Sequence, residues 1–396
     1  MNIHERPRSS IAIRLPRADR TLEAFALSEA RNFPQRAAVP FNRIAFSAAH
    51  VVSDPLAASD PWLDAAIDWD RTIAFREYIW DLGLGVAEAM DTAQRGMGLD
   101  WPTSLELIRR SVAAAGARGG LVFSGAGTDH LPPEAANSID DVARAYEEQI
   151  AAIEAAGGRI ILMASRALAR VARSAEDYAD VYHRILSQVR EPVIIHWLGD
   201  MFDPALAGYW GSADIDKASD TAVAIINAQA LKVDGVKISL LDKQKEIAMR
   251  RRLAPGVRMY TGDDFNYAEL IEGDGEQHSD ALLGIFAAIA PAASAALASL
   301  AAGDRKSFHD ILAPTVPLSR HIFRAPTRFY KTGVVFMAYL NGHQDHFTML
   351  GGQESARSTL HLSDIFRLAD AAGLLRDPDL AVRRMRIVLA ARGVEA

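Results

Sequence analysis

Short apolar runs alternate with amphipathic stretches along most of the chain. The runs begin near Arg43 (RIAFSAA), Val86 (VAEAM), Gly120 (GLVFSG), Arg159 (RIILMAS), Pro192 (PVIIHWLG), Gly235 (GVKIS) and Val257 (VRMYTG), with a weaker one near Glu276. Each is short and bounded by glycine, proline or polar residues, as buried strands are. The stretches between them carry helical spacing. Val142, Tyr146, Ile150 and Ile153 share one face, opened by Ser138 with Asp141 and stopped at Gly157-Gly158. Tyr178, Tyr182, Ile185 and Val189 share another, opened by Ser174 with Asp177. Thr103 with Glu106 reads as a capping box for a helix through Val112. Strand-helix alternation predicts βα units and a parallel sheet. Eight strands in a chain of this length predict an α/β fold, a (β/α)8 TIM barrel, over 41–303. Residues 1–40 are expected to form an N-terminal arm, extended or partly ordered. The pattern after Gly303 is wholly helical, so 304–396 is expected to be a C-terminal helical segment packed on the barrel.

Composition narrows the partners. Net charge is -7 with a pI near 5.9, and no basic stripe stands out, which argues against nucleic acid. The chain has no cysteine, so disulfides, thiolate metal sites and a cysteine nucleophile are excluded. That fits a cytoplasmic protein. Residues 1–20 hold arginines but no apolar core, so no secretory signal is expected there. Residues 281–303 lack charge and are long enough to span a bilayer, yet they are mostly alanine and contain Pro291. A buried helix pair is expected there, and no membrane partner.

The strand Asp234-Gly235-Val236-Lys237-Ile238-Ser239 carries a lysine where buried parallel strands rarely do. Desolvation disfavours an ammonium, and a neutral amine attacks carbonyls to form a Schiff base. The competing reading is a lysine that reaches solvent or pairs with Asp234. In a βα barrel, chemistry sits at the C-terminal ends of the strands. Those ends carry His50, Glu88 and Asp91, then Asp129 and His130, Ser165 and Arg166, His196, Lys237, and Asp263 with Asp264. His196 is the candidate acid/base, since an imidazole titrates near working pH; the alternative is packing beside Trp197. Asp263 and Asp264 can orient substrate or simply build a turn with Gly262. The loop from Gly125 to His130 can offer backbone N–H groups to a substrate oxygen, without matching a nucleotide-binding fingerprint. Arg95 and Arg166 suit an anionic group or surface salt bridges. His343 and His346 flank Gln344-Asp345 and can suggest a metal or a lid. A solvent-facing or subunit-contacting turn is the expectation for that helical region.

In the order of these signals the chain resembles the dihydrodipicolinate synthase and N-acetylneuraminate lyase superfamily, most of all a bacterial dihydrodipicolinate synthase-like branch. The resemblance covers roughly residues 67–375. Ile67-Asp68 with the helix leading to Gly83-Leu84-Gly85 looks like the family's first helix and second strand. Pro192 to His196 looks like its fifth strand, Gly235-Val236-Lys237 like its lysine-bearing sixth, and Tyr260 to Asp264 like its seventh with the following loop. The resemblance implies a class I, Schiff-base aldolase with Lys237 as nucleophile. Two departures bear on substrate. His196-Trp197 stands where the family has a tyrosine-asparagine pair whose tyrosine relays protons. The family's Gly-Thr-Thr-x-Gly-Glu loop, which binds a substrate carboxylate, is replaced over 88–96 by a stretch that keeps one threonine, Thr92.

The resulting expectation is a carbon-carbon lyase, an aldolase or retro-aldolase, acting on a small polyhydroxylated oxo acid or keto sugar in carbohydrate metabolism. Lys237 and His196 are its expected catalytic residues. Glu88, Asp91, Thr92, Asp129, His130, Asp263 and Asp264 are its expected substrate contacts. It needs no cofactor beyond the Lys237 imine, and the partners are a carbonyl substrate and further copies of the chain in a dimer or tetramer. The alternative is a divalent-metal sugar isomerase or epimerase. It would use His50, Glu88, Asp91, Asp129, His130 and His196 as ligands for Mn, Zn or Fe, with Lys237 polarising a carbonyl. A non-catalytic, sugar-binding barrel is the third reading.

Overall fold

The computed structural model describes residues 8–37 and 39–395; residues 1–7 of the expected N-terminal arm lie outside that range. Strands β1 (Arg8–Pro16) and β2 (Leu22–Ser28) pair as an antiparallel hairpin. The hairpin packs on the C-terminal helices, where Ser28 N–H donates to Asp370 at 3.0 Å and Phe25 meets Phe366 edge-on. Then come β3 (Ala45–Ala48), β4 (Gly85–Glu88), β5 (Val122–Ala126), β6 (Arg159–Leu162), β7 (Val193–Leu198), β8 (Val233–Ser239), β9 (Arg258–Thr261) and β10 (Asp280–Leu283). These are parallel, and β10 closes on β3 to complete the eight-stranded barrel. The fold is a (β/α)8 TIM barrel with added C-terminal helices.

The helices begin where the sequence offers side-chain caps. Ser138 and Asp141 form a reciprocal capping box, and Ser174 caps the helix Ala175–Gln188. The expected box at Thr103 is displaced. Asp100 caps that helix instead, accepting from the Thr103 N–H at 2.9 Å, and the helix Trp101–Arg118 runs on to a left-handed Gly119. Pro102 in its first turn explains the earlier start, because proline suits a position with no N–H to satisfy. The uncharged stretch 281–303 is largely buried, as expected. It finishes β10 and continues into two helical pieces within Phe286–Ala301, separated by a break at Ile289, two residues before Pro291. Among the described residues no helix is long and apolar enough to cross a membrane.

Inside the barrel Phe46, Ala87, Phe123, Ile161, Ile194 and Tyr260 form a cluster separate from the core between strands and helices. Side chains alternate between these two environments with the two-residue period of a strand. Ala87 therefore points inward and Glu88 outward. Glu88 takes two hydrogen bonds from fully buried Arg76 of the helix Trp69–Asp81, at 2.8 and 2.9 Å, and one from Ser111. The same parity turns Thr261 outward to Glu246 of the helix Lys243–Arg250.

The His343-Gln344-Asp345-His346 segment is a turn whose Asp345 faces solvent, but the rest of it is packed. His343 stacks on Tyr78 and Phe75, Gln344 is fully buried, and Asp345 joins Arg71 to Arg384 at 2.6 and 2.9 Å. It locks the first barrel helix to the C-terminal helices.

Burial pushes the Glu246 carboxyl up to about 8, against the hydroxyl hydrogen bonds from Ser279 and Thr261. Its folded pKa lies above its unfolded value, so its contribution is fully present below the unfolded pKa and is lost as pH rises through about 8. Glu246→Gln should thus be close to neutral in acid. It should gain stability over the parent as pH rises, reaching about 4 kcal/mol near pH 8 at about 1.4 kcal/mol per unit. Urea melts of both proteins from pH 4.5 to 8.5 measure the divergence, and parallel pH curves would contradict it.

Candidate active site

The inward positions of β7, β8 and β9 meet near the C-terminal mouth of the barrel. His196 and Lys237 are register partners on neighbouring strands, and Lys237 is in turn paired with Tyr260. Parity continues from Tyr260 to Gly262, which lies against the lysine stem. A Cβ at Gly262 would sit 2.9 Å from Lys237 Cε, 2.3 Å from Ser239 Oγ and 2.7 Å from the Ile238 carbonyl. Only glycine leaves room there for the lysine to lie in the barrel. Lys237 is 8% exposed, and burial lowers its pKa from the ordinary lysine value, with Asp264 and then Asp91 opposing. Asp264 accepts the Ile285 N–H at 2.9 Å. Burial raises its carboxyl to about 7, against that bond and the Lys237 charge. Each group of the pair makes it easier for the other to be ionised, while burial favours both neutral forms.

His196 is 1% exposed. Its Nε2 lies 3.3 Å from Ser239 Oγ, and its buried Nδ1 has no hydrogen-bond partner in the protein. Burial, then the Lys237 charge, hold the imidazole well below its ordinary pKa. This corrects the expectation of a histidine titrating near working pH. At neutral pH the ring is uncharged and offers a base or hydrogen-bond acceptor, and the group poised near pH 7 is Asp264.

A cleft of two adjoining chambers, about 80 Å³ and about 270 Å³, opens over the barrel. Both are lined by Asp91, Arg166, Leu198 and Asp203. His196 and Asp129 line the inner chamber. Tyr330 and Lys331, at the start of the helix Tyr330–Leu340, line the outer one. Thr92 lies under the cleft, its Oγ1 2.8 Å from the Tyr330 hydroxyl, both groups buried. Tyr330 and Lys331 were not among the sequence candidates. They head an apolar helix far along the chain, and only the polar pair at its start distinguishes them.

Several sequence candidates do other work. Glu88 lies on the outer face of β4 and is used up by Arg76 and Ser111. Asp129 is held bidentately by Arg95 at 2.7 and 2.9 Å. Burial would raise Asp129, but the charge and hydrogen bonds of Arg95 outweigh it and hold it low. Arg95 also donates to the Ala89 and Gly125 carbonyls and to Gln149, which occupies its N–H groups. His130 is bonded to Gln149 at 2.8 Å and packs against Trp101. Asp263 accepts from the Phe265 and Asn266 N–H groups and the Asn266 amide, so the turn reading holds for it. His50 packs on Phe75 in the helical layer, and burial pushes it down to about 3. Among the described residues no three His, Asp or Glu side chains gather as metal ligands, and the six-residue set of the isomerase alternative is dispersed among these roles.

A model of the family described as a protein of unknown function, DUF993, matches residues 13–394. The chain belongs to the DUF993 family. No curated protein matches the sequence significantly. Solved structures do resemble this DUF993 protein. A chloride-inhibited dihydrodipicolinate synthase from Acinetobacter baumannii, complexed with pyruvate, is 18% identical. That match covers 84% of this chain and 99% of that one, with a TM-score of 0.62. The dihydrodipicolinate synthase from Oceanobacillus iheyensis is 13% identical over 83% and 96% of the two chains, TM-score 0.60. The enzyme from Aquifex aeolicus is 12% identical over 89% and 98%, TM-score 0.58. At these identities the likeness is one of fold: the DUF993 barrel has the same architecture as these enzymes.

In competitive labelling with acetic anhydride, read by peptide mass, Lys237 should titrate below the ordinary 10.5. Asp264→Asn should move the midpoint lower still, because it removes the first anion that favours the ammonium. An unmoved midpoint would mean that the carboxylate and amine do not interact.

Proposed function

We propose that this protein is a Schiff-base-forming lyase, an aldolase or retro-aldolase, for a small polyhydroxylated oxo acid or keto sugar. The observation that carries the reading is a buried, pKa-lowered lysine on the inner face of β8, opposite Asp264 and beside His196. The neutral Lys237 amine adds to the substrate carbonyl. Protonation of the carbinolamine oxygen expels water and leaves an iminium. The bond between the α and β carbons then breaks, and its electron pair enters the iminium to form an enamine. A proton leaves the β-hydroxyl as that carbon becomes the carbonyl of the departing fragment. Protonation of the enamine and addition of water return the amine and release the second product. Asp264 is suited to supply and recover the proton at nitrogen, being electrostatically coupled to Lys237 and raised to about 7. The unpartnered Nδ1 of His196 is suited to take the β-hydroxyl proton, because a neutral imidazole in the cleft wall accepts one. The Thr92–Tyr330 hydroxyl pair can bond a further substrate oxygen.

A hydroxylated substrate follows from this lining. A buried ring nitrogen without a partner and a pair of hydroxyls favour a ligand rich in OH groups. The single threonine of the 88–96 stretch argues against pyruvate with aspartate semialdehyde, and that pair is expected to turn over poorly.

Borohydride with a panel of oxo acids and keto sugars should inactivate the protein and add the mass of the reduced substrate to Lys237. Lys237→Ala should abolish the adduct and nearly all turnover while keeping the fold; full activity in that variant would remove the mechanism. His196→Gln should lower kcat by about 10²–10⁴-fold, the range for a positioned base. The limb of the pH profile near 7 should survive that change, since it is assigned to Asp264.

A further inference from the structure

We propose that the outer chamber is an anion subsite, built by Lys331, Arg328 and Arg166, that binds a carboxylate or phosphate at the end of the substrate remote from its carbonyl. The inference rests on the lyase reading for the substrate's other end. Lys331 is 3% exposed, yet its ammonium meets only neutral groups at close range: the Arg328 carbonyl at 3.0 Å, the Met97 sulfur at 3.2 Å and the Tyr330 ring at 5.1 Å. Among the described residues no carboxylate lies within salt-bridge distance of it. A buried ammonium without an anion is costly, so it points to a charge that arrives with the ligand. Arg328 is exposed rather than buried, and it lines the same chamber with its guanidinium 4.9 Å from the Phe329 ring centroid and no ion pair among the described residues.

The charge balance agrees. Arg166, Arg328 and Lys331 face Asp91 and Asp203 across the outer chamber, while Arg95 is matched by Asp129 outside it. Of the two acids, Asp203 is already engaged by Arg166 and by the Ala205 N–H at 3.1 Å. The chamber therefore keeps surplus positive charge. Position links it to the chemistry. Asp91 lines both chambers, with His196 in the inner one and Lys331 in the outer one. A volume of about 270 Å³ accommodates a chain of several atoms ending in an anion. Burial lowers Lys331 to about 8, which leaves it largely charged at neutral pH.

Calorimetric titration of the whole protein with inorganic phosphate, and separately with succinate, at low salt tests the subsite. One or both anions should bind. Arg328→Gln and Lys331→Met should each weaken binding about tenfold or more, as loss of a charge-assisted bond does. Preference for phosphate or succinate tells which anion the remote end carries. Arg328 is exposed, so its variant keeps the test readable even if Lys331→Met lowers stability. Failure of both anions to bind, or binding indifferent to both substitutions, would overturn the subsite. Neither anion has a carbonyl able to condense with Lys237 in this titration, so the two readings fail separately. Variant-sensitive binding without borohydride trapping removes the lyase and keeps the subsite; trapping without anion binding does the reverse.

Discussion

Lys237 stands out of water inside a closed barrel, and the local structure is arranged around that desolvation. Apolar side chains fill the interior below it, so the amine cannot reach bulk solvent along the strand direction. Gly262 yields the space for its stem. Asp264, also desolvated, offers the strongest opposing charge, and the two carboxylates that favour the ammonium do not fully offset burial. Burial, reinforced by the Lys237 charge, keeps His196 neutral. Shared burial, modulated by the Lys237 charge, thus sets the protonation of the acid and the imidazole, which gives a site with a nucleophile, a proton carrier and an acceptor.

The barrel makes only half of the cleft. Tyr330, Lys331 and Arg328 come from the C-terminal helices, and their placement depends on contacts remote from the chemistry. Asp345 ties Arg384 to Arg71 of the first barrel helix, and His343 is wedged against Phe75 and Tyr78. The N-terminal hairpin braces the same helices through Ser28 and Asp370. Rigid support of this kind is what holds a binding group at a productive distance from a nucleophile. The buried Arg76–Glu88 and Arg95–Asp129 pairs work on the scaffold side. They fix the ends of β4 and β5 and position the loops that carry Asp91 and Thr92.

Polar residues at strand ends fall into two groups by parity alone. On the inner face lie His196, Lys237 and Ser239; on the outer face lie Glu88 and Thr261, each bonded to a helix. The strand's two-residue period makes this division, so Ala87 within the barrel already fixes Glu88 outside it. That signal was present in the sequence once the inward residue of β4 was known. Asp263 illustrates a different limit: the turn it builds with Asn266 uses the same residue type that a substrate contact would.

The sequence by itself determined the eight strands, the parallel barrel, the lysine in β8 and several helix starts, because these depend on short-range periodicity and capping. It did not determine which acids face inward, or that His196 is held neutral, since those depend on register and on burial by distant segments. Nor did it bring Tyr330, Lys331 and Arg328 to Asp91, more than two hundred positions earlier in the chain. Local pattern encodes the elements; only closure of the barrel and docking of the C-terminal helices decide which charges lose water together, and that desolvation makes the site.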